Sequence, residues 1–142
     1  MENLKELVKQ FYTKCLTVNT TSNPAEVMGK LFADNFQSIS AKDVKSKIAL
    51  TGQVLMFWKL IPDLKWEPQE ILQDGNRVIV RSNLSGSPQG DFMGLKLDSS
   101  RSFNTMSIDI HTVENGQITT VYHLEEWPTA ISQLKVPVGS LQ

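Results

Sequence analysis

The sequence predicts an α+β domain, with N-terminal helices packed on one face of a curved, mostly antiparallel sheet. Apolar residues recur at three- and four-residue spacing as far as Leu60, and the period changes to two from Asp63 onward. Helical patterns come first and strands follow, an order that gathers the helices on one side of the sheet. Glu114-Asn115-Gly116 separates two alternating runs, and Asn-Gly tolerates the positive φ angles of a tight hairpin. A length of 142 residues fits one domain, expected over 1–134, with Pro137 and Gly139 marking 135–142 as a loosely held tail.

Leu4, Leu7, Val8, Phe11, Tyr12, Cys15 and Val18 form the apolar face of a helix predicted from about Asn3 to Val18. Asn23-Pro24-Ala25-Glu26 starts a second helix, with Asn as cap and Pro at the first position. Phe36 to Ser40 reads as a short strand. A third helix is expected from a cap at Asp43 to Leu60, stopped by Pro62. Its apolar positions are too many for one stripe, so it is covered on more than one side or roofs a pocket. Strands follow on either side of Asp74-Gly75-Asn76, with Pro68 marking an edge or a bulge. Arg77 to Leu84 reads as an interior strand, Ser85 to Gly94 as loop, and Thr129 to Leu134 as a last helical turn.

Lys plus Arg is 14 and Asp plus Glu is 15, a formal net charge of -1. That balance offers no cationic footprint for nucleic acid or for an anionic membrane surface. No run approaches the length of a membrane span, and MENLKELVKQ lacks the apolar core of a secretory signal. The single cysteine, Cys15, forms no intrachain disulfide. A cytoplasmic protein is expected. Two histidines and one cysteine make no recognised metal-ligand spacing, so no metal is expected.

Chemistry points to the hairpin from Phe103 to Trp127, which holds both histidines. Counting out from Asn115-Gly116 makes Asp109 and His123 cross-strand neighbours, within one position. An aspartate beside an imidazole favours the imidazolium and can serve as an acid–base pair near neutral pH. A ligand contact and a satisfied polar pair within the sheet are the competing readings. Tyr12 is the candidate to point a hydroxyl donor into a cavity beside that pair. His111 shares the parity of Asp109 but lies nearer the turn, and is expected to be more exposed. Glu125 and Glu126 are expected in solvent. Trp58, Phe36, Phe92, Met93 and Arg81 are candidate substrate contacts, the first four suggesting a small hydrophobic ligand, although Arg81 is also suited to pairing with a sheet carboxylate. The alternation of Met106, Ile108 and Ile110 with Ser107, Asp109 and His111 permits a sheet face covered by a partner.

Five segments in order resemble the SnoaL-like polyketide cyclase (ester cyclase) family of the NTF2-like superfamily. They are Ile61-Pro62-Asp63-Leu64, then Asp74 to Val78 with Val80-Arg81, then Gly90-Asp91-Phe92-Met93-Gly94, Ile108-Asp109-Ile110, and Val113 to Ile118. The resemblance runs from the first helix to Leu134. It implies a cone of sheet and helices around a hydrophobic pocket, a homodimer through the sheet face, and an intramolecular aldol ring closure without cofactor. In that family the acid–base aspartate lies on the last strand, where this chain has His123 after Tyr122. The preceding-strand position, often histidine, corresponds to Asp109, and a further family histidine corresponds to Ile39. The chain therefore keeps the scaffold and changes the chemistry. The expected function is proton transfer on a hydrophobic carbonyl compound (cyclase, isomerase or dehydratase type). A ligand carrier or a dimerising module on the same fold are the alternatives.

Overall fold

The computed structural model of the chain describes residues 3–135. The tail expected at 135–142 lies, beyond Lys135, outside the described residues. Helix α1 (Leu4–Gln10) is capped by Asn3, whose side chain accepts the Glu6 N–H at 3.2 Å. It does not continue as plain α-helix to Val18. It widens into a π-helical turn over Phe11–Cys15, and the extra residue in that turn brings both Phe11 and its neighbour Tyr12, with Cys15, to the buried side. Helix α2 (Pro24–Leu31) follows the Asn23 cap as expected.

Strand β1 (Phe32–Ile39) starts directly at the end of α2, four residues before the expected Phe36. A short strand β2 (Val44–Ser46) takes the residues expected to open the third helix. Ser46, not Asp43, therefore caps α3 (Lys47–Leu60), accepting the Ala49 N–H at 3.2 Å, while the Asp43 carboxylate pairs with Lys45. Of the many apolar residues of α3, Leu50, Val54 and Phe57 are buried, and Ile48, Leu55 and Met56 are exposed rather than covered by a second layer.

Strands β3 (Lys65–Asp74) and β4 (Arg77–Gly86) form the next hairpin. β3 is an edge strand whose register slips between Pro68 and Glu70, because proline offers no N–H to the ladder. The stretch read as loop after Ser85 instead folds into a ribbon of its own, β5 (Gln89–Phe92) and β6 (Leu95–Asp98). Strands β7 (Phe103–Glu114) and β8 (Gln117–Glu125) turn on Asn115 and Gly116, both at positive φ. Helix α4 (Trp127–Lys135) closes the described chain.

The main sheet has the order β2-β1-β8-β7-β4-β3. All its pairs are antiparallel except β1 with β8, which the intervening elements connect as a crossover. Helices cover one face and the core lies between. On β7 the polarity is inverted: Ser107, Asp109 and His111 are buried, while Met106 and Ile108 are exposed and Ile110 is half-buried. The outer face carries an apolar row across five strands, Ile39, Tyr122, Ile110, Ile79 and Leu72. Among the described residues no helix is long and apolar enough to cross a membrane.

Two glycines separate packing from propensity. A Cβ at Gly86 would collide with the Ile61 side chain and touch Phe103, so Gly86→Ala should lower stability by about 1–3 kcal/mol. A Cβ at Gly52, inside α3, meets nothing within 4 Å, and Gly52→Ala should raise stability by about 0.5–1 kcal/mol. Urea unfolding of the two variants checks the pair; equal midpoints would contradict this account of the β4–α3 contact.

Candidate active site

The register of the long hairpin pairs Asp109 with His123, within the one-position range of the count out from the turn, because a bulge between Thr112 and Val113 shifts the pairing by one residue. Both point to the helix-covered face and line one recess, together with Glu125 two residues farther along β8. The other walls are Phe11 from the π turn, Leu16, Trp66 from β3, Val121 from β8, and Leu50, Val54 and Phe57 from α3. Ser38 of β1 and Gln53 of α3 are the remaining polar lining residues. The enclosed volume is about 40 Å³, room for a few water molecules.

Asp109 and His123 do not bond to each other as a closed dyad; each has another partner. His123 Nδ1 lies 2.7 Å from Glu125 Oε2, and its Nε2, although buried, has no partner among the described residues. The hydrogen bond to Glu125 raises the His123 pKa above its ordinary value, against the opposing effect of burial. Glu125 was expected in solvent, but its side chain is only 12% exposed. Alternation along the strand is the signal that would have found it, since residues two apart share a face.

Asp109 Oδ2 accepts the Tyr12 hydroxyl at 2.6 Å, and that hydroxyl also lies 2.7 Å from His111 Nε2. All three groups are buried. Burial raises the Asp109 pKa to about 7, Glu125 adds to the rise, and the Tyr12 hydrogen bond and His123 oppose it. Burial also pushes the Tyr12 phenol well above its ordinary value, and lowers His111 to about 3, so the imidazole is neutral. Tyr12 does not line the recess; its hydroxyl is committed to Asp109 and His111, and is not placed as a free donor. His111 is fully buried rather than exposed, because parity directs it inward under Phe11 and Tyr12, whose rings stand edge-on to it.

The remaining candidates stand outside the recess lining. Phe36 packs on Phe32, ring centroids 4.3 Å apart. Phe92 stacks with Phe103 beside Trp127 and Phe57. Met93 is at the exposed β5–β6 turn. The Trp58 indole N–H donates to the Cys15 carbonyl at 2.7 Å, tying α3 to the π turn. Arg81 points to the outer face, where it pairs with Glu70 at 3.2 Å. Among the described residues no three His, Cys, Asp or Glu side chains converge as metal ligands would.

Residues 6–134 match the family model described as SnoaL-like polyketide cyclase. Solved structures with the same fold include a SnoaL-like polyketide cyclase from Agrobacterium tumefaciens, at 17% identity and a TM-score of 0.75, covering 94% of this chain and 99% of that one. TsrD from Streptomyces laurentii is similar at 15% identity and a TM-score of 0.80, with 99% of each chain covered. IdmH from Streptomyces antibioticus is similar at 18% identity and a TM-score of 0.78, covering 95% of this chain and 100% of that one. The fold is thus the α+β cone of these proteins. No curated protein sequence matches the chain.

The carboxyl of Asp109 makes stability depend on pH in a defined direction. A folded pKa near 7, above the unfolded value of about 3.9, gives a contribution that is full below pH 4 and lost as pH rises to about 7. Asp109→Asn removes the buried charge and should be more stable than the parent at pH 8, on the order of a few kcal/mol. The gap should close towards pH 4. Chemical denaturation at both pH values checks this, and a variant weaker than the parent at pH 8 would contradict it.

Proposed function

The chain belongs to the SnoaL-like polyketide cyclase family, and we propose that it is a cofactor-independent proton-transfer enzyme for a hydrophobic carbonyl compound. The observation that supports this reading most is a buried carboxyl with a pKa near 7 in one recess with an imidazole whose outer nitrogen is unpartnered. A buried polar atom on a pocket wall with no protein partner is free to meet water or a ligand there. In the proposed step Asp109, as carboxylate, removes the proton α to the carbonyl, and the electron pair moves to the carbonyl oxygen. His123, as imidazolium held at Nδ1 by Glu125, donates through Nε2–H to that oxygen. Return of the proton at another carbon gives isomerisation, loss of a β-hydroxyl gives dehydration, and attack of the enolate on a second carbonyl gives ring closure. Acceptor and donor are both side chains of this chain, so the step needs no cofactor.

The size of the recess bears on the substrate. About 40 Å³ takes the reacting carbonyl and its neighbouring carbons, well below the roughly 300–1,000 Å³ of pockets that hold drug-sized ligands.

Exchange of α-protons for deuterium in a panel of small hydrophobic ketones, followed by NMR, reads the step directly. Asp109→Asn and His123→Gln should each slow it by about 10²–10⁴-fold. The pH profile should be bell-shaped. Its acid limb belongs to Asp109 near pH 7, and its alkaline limb to His123, so Glu125→Gln should move the alkaline limb to lower pH. Binding of ketones without any exchange would favour a carrier instead.

We also propose that the apolar outer face of the sheet, with Ile108, Tyr122 and Leu124 exposed, is covered by a second copy of the chain. Sedimentation should give a dimer at micromolar concentration, and Leu124→Glu with Ile108→Glu a monomer. A monomeric parent would remove the dimer from the account.

A further inference from the structure

We infer that His111 is a positioning residue that acts through Tyr12 on Asp109, so that Oδ2 is held as an acceptor and Asp109 takes up its proton on Oδ1. The inference rests on the reading of Asp109 as the base. A phenol has a single proton, and the Tyr12 hydroxyl stands 2.6 Å from Asp109 Oδ2 and 2.7 Å from His111 Nε2. An ionised carboxylate only accepts, so the phenol proton goes to Asp109. The His111 contact is then satisfied only if Nε2 carries the imidazole proton and donates to the phenol oxygen. That leaves His111 Nδ1 as a bare lone pair, in agreement with its lack of any partner in a fully buried setting. The chain runs in one direction: His111 Nε2–H to Tyr12 Oη, Tyr12 O–H to Asp109 Oδ2.

The direction has a chemical consequence. Reversing the chain, so that a proton on Oδ2 is donated to Tyr12 and Tyr12 donates to Nε2, moves the imidazole proton to Nδ1, where a buried N–H has no acceptor. Protonating His111 outright is opposed by burial, which makes it a weak base. The Leu124 backbone N–H also donates to the carboxylate; Oδ2 is held as an acceptor by the Tyr12 hydroxyl, and Oδ1, which has no side-chain partner among the described residues, is the oxygen that takes the proton. A donor chain also strengthens each bond in it, so His111 helps Tyr12 hold the Asp109 pKa below the value that burial alone would set. The titratable groups facing Asp109 are Tyr12 from the π turn and His123 and Glu125 from β8, with Lys45 of β2 acting on His123. Ser38 of β1 and Gln53 of α3 face the same recess without titrating.

Nuclear magnetic resonance of the whole chain tests this without substrate. The imidazole ¹⁵N shifts should show His111 neutral, protonated at Nε2, from pH 5 to pH 9; a proton on Nδ1 overturns the inference, and this readout needs no variant. The ¹³C titration of the Asp109 carboxyl should move up by about one pH unit in Tyr12→Phe, which removes a hydrogen bond to the charged form. It should move up by about half a unit in His111→Leu, and return towards the parent midpoint in His111→Gln, whose amide can donate from the position of Nε2. A folded His111→Leu variant with the parent midpoint also overturns it. Expected shifts together with no ketone exchange would sink the catalytic reading, and with it the positioning role, leaving only the direction of the hydrogen-bond chain.

Discussion

A carboxyl group with almost no exposure, on an interior strand of the sheet, is the constraint around which this protein is arranged. Asp109 is almost wholly withdrawn from bulk solvent, and an unpaired buried carboxylate would cost several kcal/mol. The protein meets that cost partly by a short hydrogen bond from Tyr12, partly through the positive field of His123, and partly by letting the group hold its proton up to about pH 7. The last of these turns a structural liability into reactivity, because a base works best when its pKa lies near the working pH.

Much of the scaffold can be read as what puts partners around that group. The Asn115-Gly116 turn opens the hairpin, and the bulge between Thr112 and Val113 shifts its register by one residue, which brings His123 opposite Asp109. The inverted alternation of β7 turns Ser107, Asp109 and His111 inward at the expense of an exposed apolar outer face. The π turn presents two successive aromatic residues to the interior, Phe11 to the recess and Tyr12 to the carboxyl. Trp66, on the edge strand, both walls the recess and satisfies Ser107 through its indole N–H at 2.8 Å. Glu125, at the end of β8, holds the imidazole that faces Asp109.

How much of this was legible in the sequence follows from the range over which each signal acts. Local signals were sound: the Asn23-Pro24 helix start, the stop before Pro62, the bulge near Pro68 and the hairpin register all depend on residues a few positions apart. Signals that compete locally misled. Asp43 and Ser46 are both good caps, and only the pairing of β2 with β1 selects Ser46. The glycines after Ser85 read as loop, yet two of them supply the positive φ of a small ribbon. Within the site, distance from the turn suggested an exposed His111, whereas strand parity and the cover of the π turn bury it. The parallel pairing of β1 with β8 and the meeting of Tyr12 with Asp109 join residues far apart in the chain, and no local pattern encodes them. The aromatic candidates Phe36, Phe92 and Trp58 went instead to packing and to a backbone tie, the commoner employment of large rings.

The most direct test of the central claim is the proton balance of binding an enolate mimic. A nitrophenolate, already ionised at pH 8, carries its charge where the enolate oxygen would lie, and calorimetry in buffers of different ionisation heat counts the protons that accompany it. Asp109 as the acid–base group predicts that the parent takes up close to one proton more than Asp109→Asn, because the carboxyl must be protonated beside the bound anion. Binding with the same uptake in the parent and in Asp109→Asn would contradict it.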